Sequence, residues 1–336
     1  MKNAGFLLAI VLCAAAVYAS ETKDSLPQID DIASVFANIP PDVRSIVFVK
    51  NPQYKIPEGG HLQGVQFTET AEPGQQIVFL SGSSNTKAYL VAAAFDYRRH
   101  GRMIGCTFLP SDGATPPLKH AGGFQIIGNY LAVGVEDNQD KKRSEIQFWD
   151  ISNAASPIQC AYLTVKRSSD AEKIKTAGAV GITKTINGHL LAVASWDANT
   201  VDFYRSNAYP LSDERCRFEQ EPFLSWKQAE ANRDYWQPDK TWGRYQNINL
   251  LCDRSNNIYL MGFCKSDDRE IIDLFAVEAN QKQDRAIRKI AAKNMRLQNG
   301  ASFMNGGGIY IKSPMEMFVL ACEKNIREKT TINLAP

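Results

Sequence analysis

His61-Leu-Gln-Gly-Val-Gln66 and His120-Ala-Gly-Gly-Phe-Gln125 are the two clearest copies of a six-residue pattern that recurs along the chain. Further copies are Thr176-Ala-Gly-Ala-Val-Gly181, Thr241-Trp-Gly-Arg-Tyr-Gln246 and, more loosely, Asn299-Gly-Ala-Ser-Phe-Met304. The copies begin roughly sixty residues apart, and each runs through small residues to an apolar side chain at the fifth position. A repeat with a fixed period indicates an architecture built from repeated units.

Strand-like runs follow each copy in the same order. They are short, rich in β-branched and aromatic residues, and bounded by Gly, Asn, Asp and Ser, which is typical of strands and turns. The second runs are 77–80, 130–135, 190–194, 258–261 and 309–311, and the third runs are 89–95, 145–150, 200–204, 271–275 and 317–321. Fourth runs follow the first three copies at 103–108, 158–163 and 216–218. Four strands per repeat are typical of a propeller blade.

The sequence therefore predicts an all-β fold, a five-bladed β-propeller with blades starting near residues 61, 120, 176, 241 and 299. The last blade lacks a fourth run, so we assign it the upstream strand Val43–Val49, beside 317–321, which would close the ring and remove an exposed edge. The propeller domain then spans residues 43–328, between a lead segment at 20–42 and a tail at 329–336. The segment 286–296 has helical character and is interpreted as a decoration of the fourth blade. The alternative is an irregular all-β sandwich whose internal similarity is coincidental.

The N-terminus indicates export. Residues 1–19 combine a basic start at Lys2, an apolar stretch and small residues before Ser20, as in a cleaved signal peptide. No later apolar run approaches the roughly twenty residues that a membrane-spanning helix needs. We therefore expect a secreted protein, extracellular or periplasmic, without membrane insertion.

Six cysteines follow the signal peptide, and an even number in an exported chain favours disulfides. Cys252 and Cys264 flank a predicted hairpin and are the preferred pair, while buried free thiols are the alternative. No Cys-x-x-Cys occurs, which argues against a zinc ribbon. The net charge of +2 is spread along the chain, so no nucleic-acid partner is expected. The basic clusters at 98–100 and 141–143 are interpreted as solvated turns, and the chain is expected to be a monomer.

The repeat register predicts a ligand site. In a propeller, the starts of the innermost strands and the ends of the second strands meet at one mouth of the central channel. The predicted ligand-binding residues are His61, His120, Glu136, Trp196, Asp197, Thr241, Arg244 and Asn299. Arg244 stands where the other copies have Gly, Ala or Ser, so its guanidinium either meets an anionic ligand or pairs with a structural carboxylate.

Known catalytic motifs are absent from the sequence: it has no nucleophile elbow, phosphate-binding loop or His-Glu-x-x-His pair. The two histidines and nearby carboxylates could hold a metal, but capping or backbone bonding is the preferred interpretation, and no cofactor is expected. Several five-bladed propellers are glycoside hydrolases, which need carboxylates near the channel. The repeat motifs themselves contain no Asp or Glu, so catalysis would depend on Glu136 and Asp197.

The second blade carries Ile146-Gln-Phe-Trp-Asp-Ile-Ser152 followed by Pro157, and this resembles the LVIVD-type repeat of exported β-propeller proteins. The other blades keep only the aromatic pair. The resemblance implies architecture and location, and no reaction.

The leading hypothesis is a secreted binding or scaffolding propeller that presents a polar funnel to a small molecule, glycan or protein. The alternative is a secreted hydrolase, a lactonase or glycosidase, that uses the histidines and carboxylates of the same funnel; no catalytic residue is assigned. Converging carboxylates at the mouth would favour the enzyme, and an uncharged aromatic surface would favour the binder.

Overall fold

The computed structural model describes residues 24–69, 75–96, 100–113, 115–169, 175–221, 224–278 and 280–336. Within these ranges nearly all of the regular secondary structure is β-strand, so the predicted all-β class is confirmed. The predicted signal peptide lies outside the described residues. One α-helix, α1 (Ile32–Asn38), precedes the strands, and no helix in the described ranges is long and apolar enough to cross a membrane.

The strands follow one another in successive antiparallel groups. After β1 (Arg44–Val49), the first group comprises β2 (His61–Glu69), β3 (Gln76–Ser83), β4 (Tyr89–Phe95) and β5 (His100–Phe108). The second group comprises β6 (His120–Ile127), β7 (Tyr130–Glu136), β8 (Arg143–Asp150), β9 (Ile158–Gln159) and β10 (Val165–Ser168). The third comprises β11 (Ala179–Thr185), β12 (Gly188–Ala194), β13 (Thr200–Ser206), β14 (Phe218–Gln220) and β15 (Trp226–Lys227).

The fourth group comprises β16 (Asn247–Cys252), β17 (Ile258–Ser266), β18 (Arg269–Val277) and β19 (Ile287–Met295). The last comprises β20 (Ser302–Ser313), β21 (Glu316–Cys322) and β22 (Lys329–Ala335). Short 3-10 helices lie between strands at Ala161–Leu163, Trp196–Ala198, Gln228–Glu230 and Gln283–Arg285. Strand pairing joins the groups into sheets of eight, ten and four strands.

The first strands of the groups lie against one another in a closed cycle. β2 contacts β6, β6 contacts β11, β11 contacts β16, β16 contacts β20, and β20 contacts β2 again. Small residues permit this approach: a Cβ atom on Gly308 would lie 1.9 Å from the carbonyl oxygen of Val65, and one on Gly122 would lie 2.1 Å from that of Gly178. Small residues, of the repeat at Gly122 and of β20 at Gly308, therefore set the spacing of the inner strands.

Buried amides at the sixth position of the repeat connect these inner strands. The Gln66 Oε1 atom accepts a hydrogen bond from the Ile126 amide at 2.7 Å. Gln125 Oε1 accepts from the amides of Ile182 and Leu250, both at 2.8 Å, and Gln125 Nε2 donates to the Leu250 carbonyl. Because Gln125 is completely buried, its side chain acts as a structural bridge between three strands.

The last group differs from the prediction by one strand. The end of the fifth copy and the run 309–311 lie on the single strand β20, and 317–321 lies on its neighbour β21. Residues 329–335, expected to be a tail, form β22, which pairs with β21. β1 does complete this group, but its antiparallel partner is β22 rather than β21, with Arg44 opposite Leu334. β1 also pairs in parallel with β5, which joins the last group to the first.

The predicted helical decoration at 286–296 is wrong, because most of it is strand β19. It pairs with β18 in the antiparallel sense, with Met295 opposite Glu270 at one end and Ile287 opposite Val277 at the other. Pairing along a whole strand outweighs the helical preference of Ala291 and Ala292.

The preferred disulfide is also wrong: each of the six cysteines in the described ranges is free. Cys252 lies opposite Ile258 at one end of the β16–β17 hairpin, whereas Cys264 lies six residues further along β17. Six residues of strand span about 20 Å. A disulfide needs Cα atoms about 4.4–6.8 Å apart.

The N-terminal strap, residues 24–31, crosses the face of the ring opposite the starts of the inner strands. The Asp24 carboxylate accepts from Lys184 Nζ at 2.8 Å, and His189 Nε2 lies 2.8 Å from the Asp24 carbonyl oxygen. Further along, Ile29 pairs with Asp253 at the end of β16. The strap therefore connects the third group to the fourth.

Candidate functional site

A cavity of about 250 Å3 opens where the inner strands begin, and we call it the mouth cavity. Five of the eight predicted ligand-binding residues line it: His61, His120, Glu136, Trp196 and Asp197. The register of the repeat explains this meeting, since His61 and His120 open β2 and β6 while Glu136 ends β7. The sequence did not single out the other lining residues, which are Gln63, Asn138, Gly178, Ser195, Tyr245 and Gln246.

His61 presents a neutral imidazole to the cavity. Its Nδ1 atom lies 3.2 Å from the carbonyl oxygen of Gly59, which places the ring proton on Nδ1 and leaves the Nε2 lone pair free. Burial lowers the pKa of His61, and the positive charges of His120 and Lys324 act in the same direction, while the bond to Gly59 opposes them. Near neutral pH, His61 is therefore a hydrogen-bond acceptor rather than a cation.

His120 and Glu136 form a cross-strand pair. They lie directly opposite each other in the β6–β7 register, and His120 Nδ1 is 3.2 Å from Glu136 Oε1. The Glu136 side chain is completely buried, and its Oε2 atom accepts from the Ala177 amide at 2.6 Å. The His120–Glu136 contact is within ion-pair distance but outside hydrogen-bond geometry. Glu136 thus lies behind the imidazole and orients it, with Nε2 left for a ligand.

Backbone strain accompanies Trp196 and Asp197. Asp197 and Ala198 both adopt left-handed φ angles, 54° and 55°, which non-glycine residues rarely adopt. The Trp196 amide donates to Thr176 Oγ1 at 2.6 Å, and Trp242 Nε1 donates to the Ala198 carbonyl at 2.9 Å. Neighbouring groups therefore hold the loop in a costly conformation, as is common at functional sites.

The aromatic rings of the mouth cavity lie close together. The ring centres of His61 and His120 are 6.5 Å apart, and those of His120 and Trp196 are 6.1 Å apart. The Lys141 ammonium lies 3.9 Å from the centre of the Trp196 ring. Sequence reasoning assigned Lys141 to a solvated turn, because nothing in the sequence shows that its loop folds towards Trp196.

Three predicted residues do not line the mouth cavity. Thr241 is exposed and bonds to Asp239 and Lys289. Arg244 is exposed and has no ion-pair partner among the described residues. Asn299 donates to Ser45 Oγ on β1 at 2.9 Å. The reason is a drift in register: the fourth and fifth copies begin before their inner strands, which start at Asn247 and Ser302.

Among the described residues, no group of three or more His, Cys, Asp or Glu side chains is arranged to hold a metal ion. A larger cavity of about 440 Å3 lies at the other end of the inner strands, beside the strap. Its lining includes no histidine, so we place the candidate chemistry at the smaller mouth cavity.

No family model matches the chain, and no curated protein matches it. A solved structure does share its fold. The GH32 beta-fructofuranosidase of Bombyx mori aligns with a TM-score of 0.50 at 9% identity, over 89% of this chain and 64% of that chain. This chain thus spans less than two thirds of that enzyme.

Two more glycoside hydrolases align with lower scores. A family 117 glycoside hydrolase of Zobellia galactanivorans has a TM-score of 0.49 at 6% identity, over 89% of this chain and 92% of that chain. A GH43 beta-xylosidase/alpha-arabinofuranosidase from a compost microbial metagenome has a TM-score of 0.47 at 9% identity, over 82% of this chain and 91% of that chain. At 9% identity the likeness to the Bombyx mori enzyme shows the fold alone: an all-β fold of curled, nearly closed sheets.

Proposed function

We propose that the protein is an exported five-bladed β-propeller whose mouth cavity hydrolyses a small polar substrate, a glycoside in the first instance. The closed cycle of inner strands, each beginning one of the strand groups, supports five blades. The signal-like residues 1–19 support export.

The observation that carries the proposal is the pair formed by His120 and Glu136. A buried carboxylate 3.2 Å from Nδ1 orients the imidazole and leaves Nε2 to exchange a proton with a substrate. Asp197 adds a second, partly exposed carboxylate to the same cavity. Titratable groups therefore converge at the mouth, which favours an enzyme over the binding protein that was the leading hypothesis from sequence.

The proposed reaction uses two groups of this chain. His120, as imidazolium, gives its Nε2 proton to the glycosidic oxygen while the bond from that oxygen to the anomeric carbon breaks. Asp197 accepts a proton from the water whose oxygen forms the new bond to the anomeric carbon. The proton then returns from Asp197 to His120 through solvent, which restores both groups. The shared fold with glycoside hydrolases supports this choice of substrate, through the fold only.

Binding without turnover is the second candidate, and one observation favours it. Most glycoside hydrolases use two carboxyl groups that flank the scissile bond. Both oxygens of Glu136 already face protein groups, the His120 ring and the Ala177 amide, so Asp197 is the one carboxylate of the cavity lining that remains open to a ligand. A lactone, which a histidine base could hydrolyse by activating a water, is the alternative substrate of the hydrolase.

The test combines turnover with binding. Hydrolysis of aryl glycosides and lactones is measured for the wild type, His120→Gln and Asp197→Asn. Binding of the matching methyl glycosides to the same proteins is measured by calorimetry. His100→Gln is the matched control, since that side chain is 81% exposed and far from the mouth in the β4–β5 hairpin. We expect kcat to fall about 100-fold in the two cavity variants and to stay unchanged in the control.

Each other outcome has a defined meaning. Binding without turnover in the wild type, abolished by His120→Gln, would establish the binding candidate in place of the hydrolase. Turnover that both cavity variants retain would remove the mouth cavity as the active site.

A further inference from the structure

Lys141 presents an unneutralised charge at the rim of the mouth cavity. Its ammonium lies 3.9 Å from the centre of the Trp196 ring, and Trp196 lines the cavity. In the part of the chain that the structure describes, this ammonium has no carboxylate within ion-pair distance, although Asp140 is its neighbour in sequence. A lysine on an aromatic face is fixed in place without losing its charge.

The backbone of Lys141 is held in an unfavourable conformation. Its φ angle is 59°, in the left-handed region where a side chain other than glycine's is strained. The Lys175 amide donates to the Lys141 carbonyl at 2.9 Å and holds this turn against the next segment. Two strained non-glycine residues thus lie near each other beside the cavity, Lys141 and Asp197, since Lys141 contacts the ring of Trp196. The structure maintains this strain where it positions a charge beside the site.

A second lysine, Lys324, lies near the mouth cavity. Lys324 lies close enough to lower the pKa of His61, and its carbonyl accepts from the Leu62 amide at 2.7 Å. On the acidic side, Glu136 is buried behind His120, which leaves Asp197 facing the ligand. The rim therefore complements a ligand with a negatively charged group.

We propose that Lys141 selects anionic sugars: a carboxylate on the sugar binds the Lys141 ammonium beside Trp196 while the anomeric carbon lies at His120 and Asp197. The inference rests on the proposed glycoside hydrolysis for its reaction, although the selectivity itself is a binding property. Pockets for drug-sized ligands have volumes of roughly 300–1,000 Å3. A cavity of about 250 Å3 fits a single uronic acid unit rather than a longer chain.

The test compares ligands that differ only in charge. Methyl glucuronide and methyl glucoside, each as both anomers, are titrated calorimetrically into the wild type, Lys141→Met, Lys141→Arg and Lys142→Met. Lys142 is the matched control, because it is adjacent and exposed. We expect the wild type to bind the acid about 10-fold more tightly, with a preference that weakens as salt is added. Lys141→Met should bind the two sugars equally well, with its affinity for methyl glucoside unchanged. Lys141→Arg should keep the preference for the acid, and Lys142→Met should resemble the wild type.

A parallel turnover assay uses the corresponding 4-nitrophenyl glycosides, and it separates the two proposals. Preferential binding of the acid without turnover would support Lys141 selectivity and refute hydrolysis. Turnover of acid and neutral substrates with equal kcat/KM would refute the selectivity and leave the hydrolase standing. An equal loss of affinity for both sugars in Lys141→Met would show that Lys141 only supports the fold of its loop. A wild type that binds neither sugar would overturn both proposals.

Discussion

Glu136 Oε1 lies 3.2 Å from His120 Nδ1, and the same carboxylate accepts the Ala177 amide through Oε2. One buried group therefore joins the candidate site to the start of the next inner strand.

Glu136→Gln should separate the two tasks of this carboxylate. The amide oxygen still accepts from Ala177, so stability should change little, while loss of the negative charge at Nδ1 should lower kcat about 10- to 100-fold. Glu136→Ala leaves the Ala177 amide without an acceptor and should also destabilise the fold by about 1–3 kcal/mol. Urea unfolding and steady-state kinetics on both variants measure this, with the exposed Glu219→Gln as control. Equal activity in Glu136→Gln and the wild type would exclude an orienting role.

Gln125 should be more important for stability than any surface glutamine. Replacing it with leucine leaves the amides of Ile182 and Leu250 without their buried acceptor, at a cost of about 2–6 kcal/mol. Gln53→Leu, at an exposed loop position, should change stability by less than about 0.5 kcal/mol. Thermal and urea unfolding measure both, and similar values for the two variants would contradict the bridging role of Gln125.

His189 should make the protein less stable in mild acid. Burial lowers its pKa from the ordinary value of 6.5, although the bond to the Asp24 carbonyl and the Asp24 charge oppose this. Below pH 6.5 the unfolded chain takes up a proton that the folded protein takes up only at lower pH, so the free energy of unfolding falls as pH drops. Between pH 7.5 and 5.5, His189→Asn should reduce this fall, whereas the exposed His100→Gln should not. An unchanged pH slope in His189→Asn would assign the acid sensitivity elsewhere.

Reducing agents should not change the stability, since the six cysteines of the described ranges are free. Burial raises the pKa of the Cys252 thiol to about 11, so few thiolates form at pH 8 and alkylation of the native protein should be slow. In denaturant, mass spectrometry should find all six thiols alkylated without prior reduction. A melting temperature that falls in dithiothreitol would show a disulfide.

The sequence could predict the parts of the site that depend on strand register. His61 and His120 begin both a repeat copy and a strand, so period and order were enough to bring them together with Glu136. The prediction failed where a copy begins before its strand. In the fourth group it is Tyr245 and Gln246, at the end of the copy, that reach the cavity instead of Thr241.

Features set by tertiary contacts were beyond sequence reasoning. Lys141 lies against Trp196 in a turn with a left-handed φ angle, and no residue type in that loop predicts this contact. β19 has a composition that suits a helix, and only the free edge of β18 makes it a strand. The strand β22 was also missed, since residues 329–336 were expected to be a tail. As a result, β1 completes the predicted group but pairs with β22 instead of β21.

The pairing of β1 with β22 has a consequence for how the molecule folds. About 280 residues separate the paired positions Val49 and Lys329, so this contact is among the least local in the protein. The ring can close only after every intervening group has formed, and contacts of such long range are associated with slow folding. Until then β1, which pairs with β5 on one side, offers its other edge unpaired to other chains. The yield of folded protein should therefore depend on how long the newly made chain is protected from its neighbours before β22 arrives.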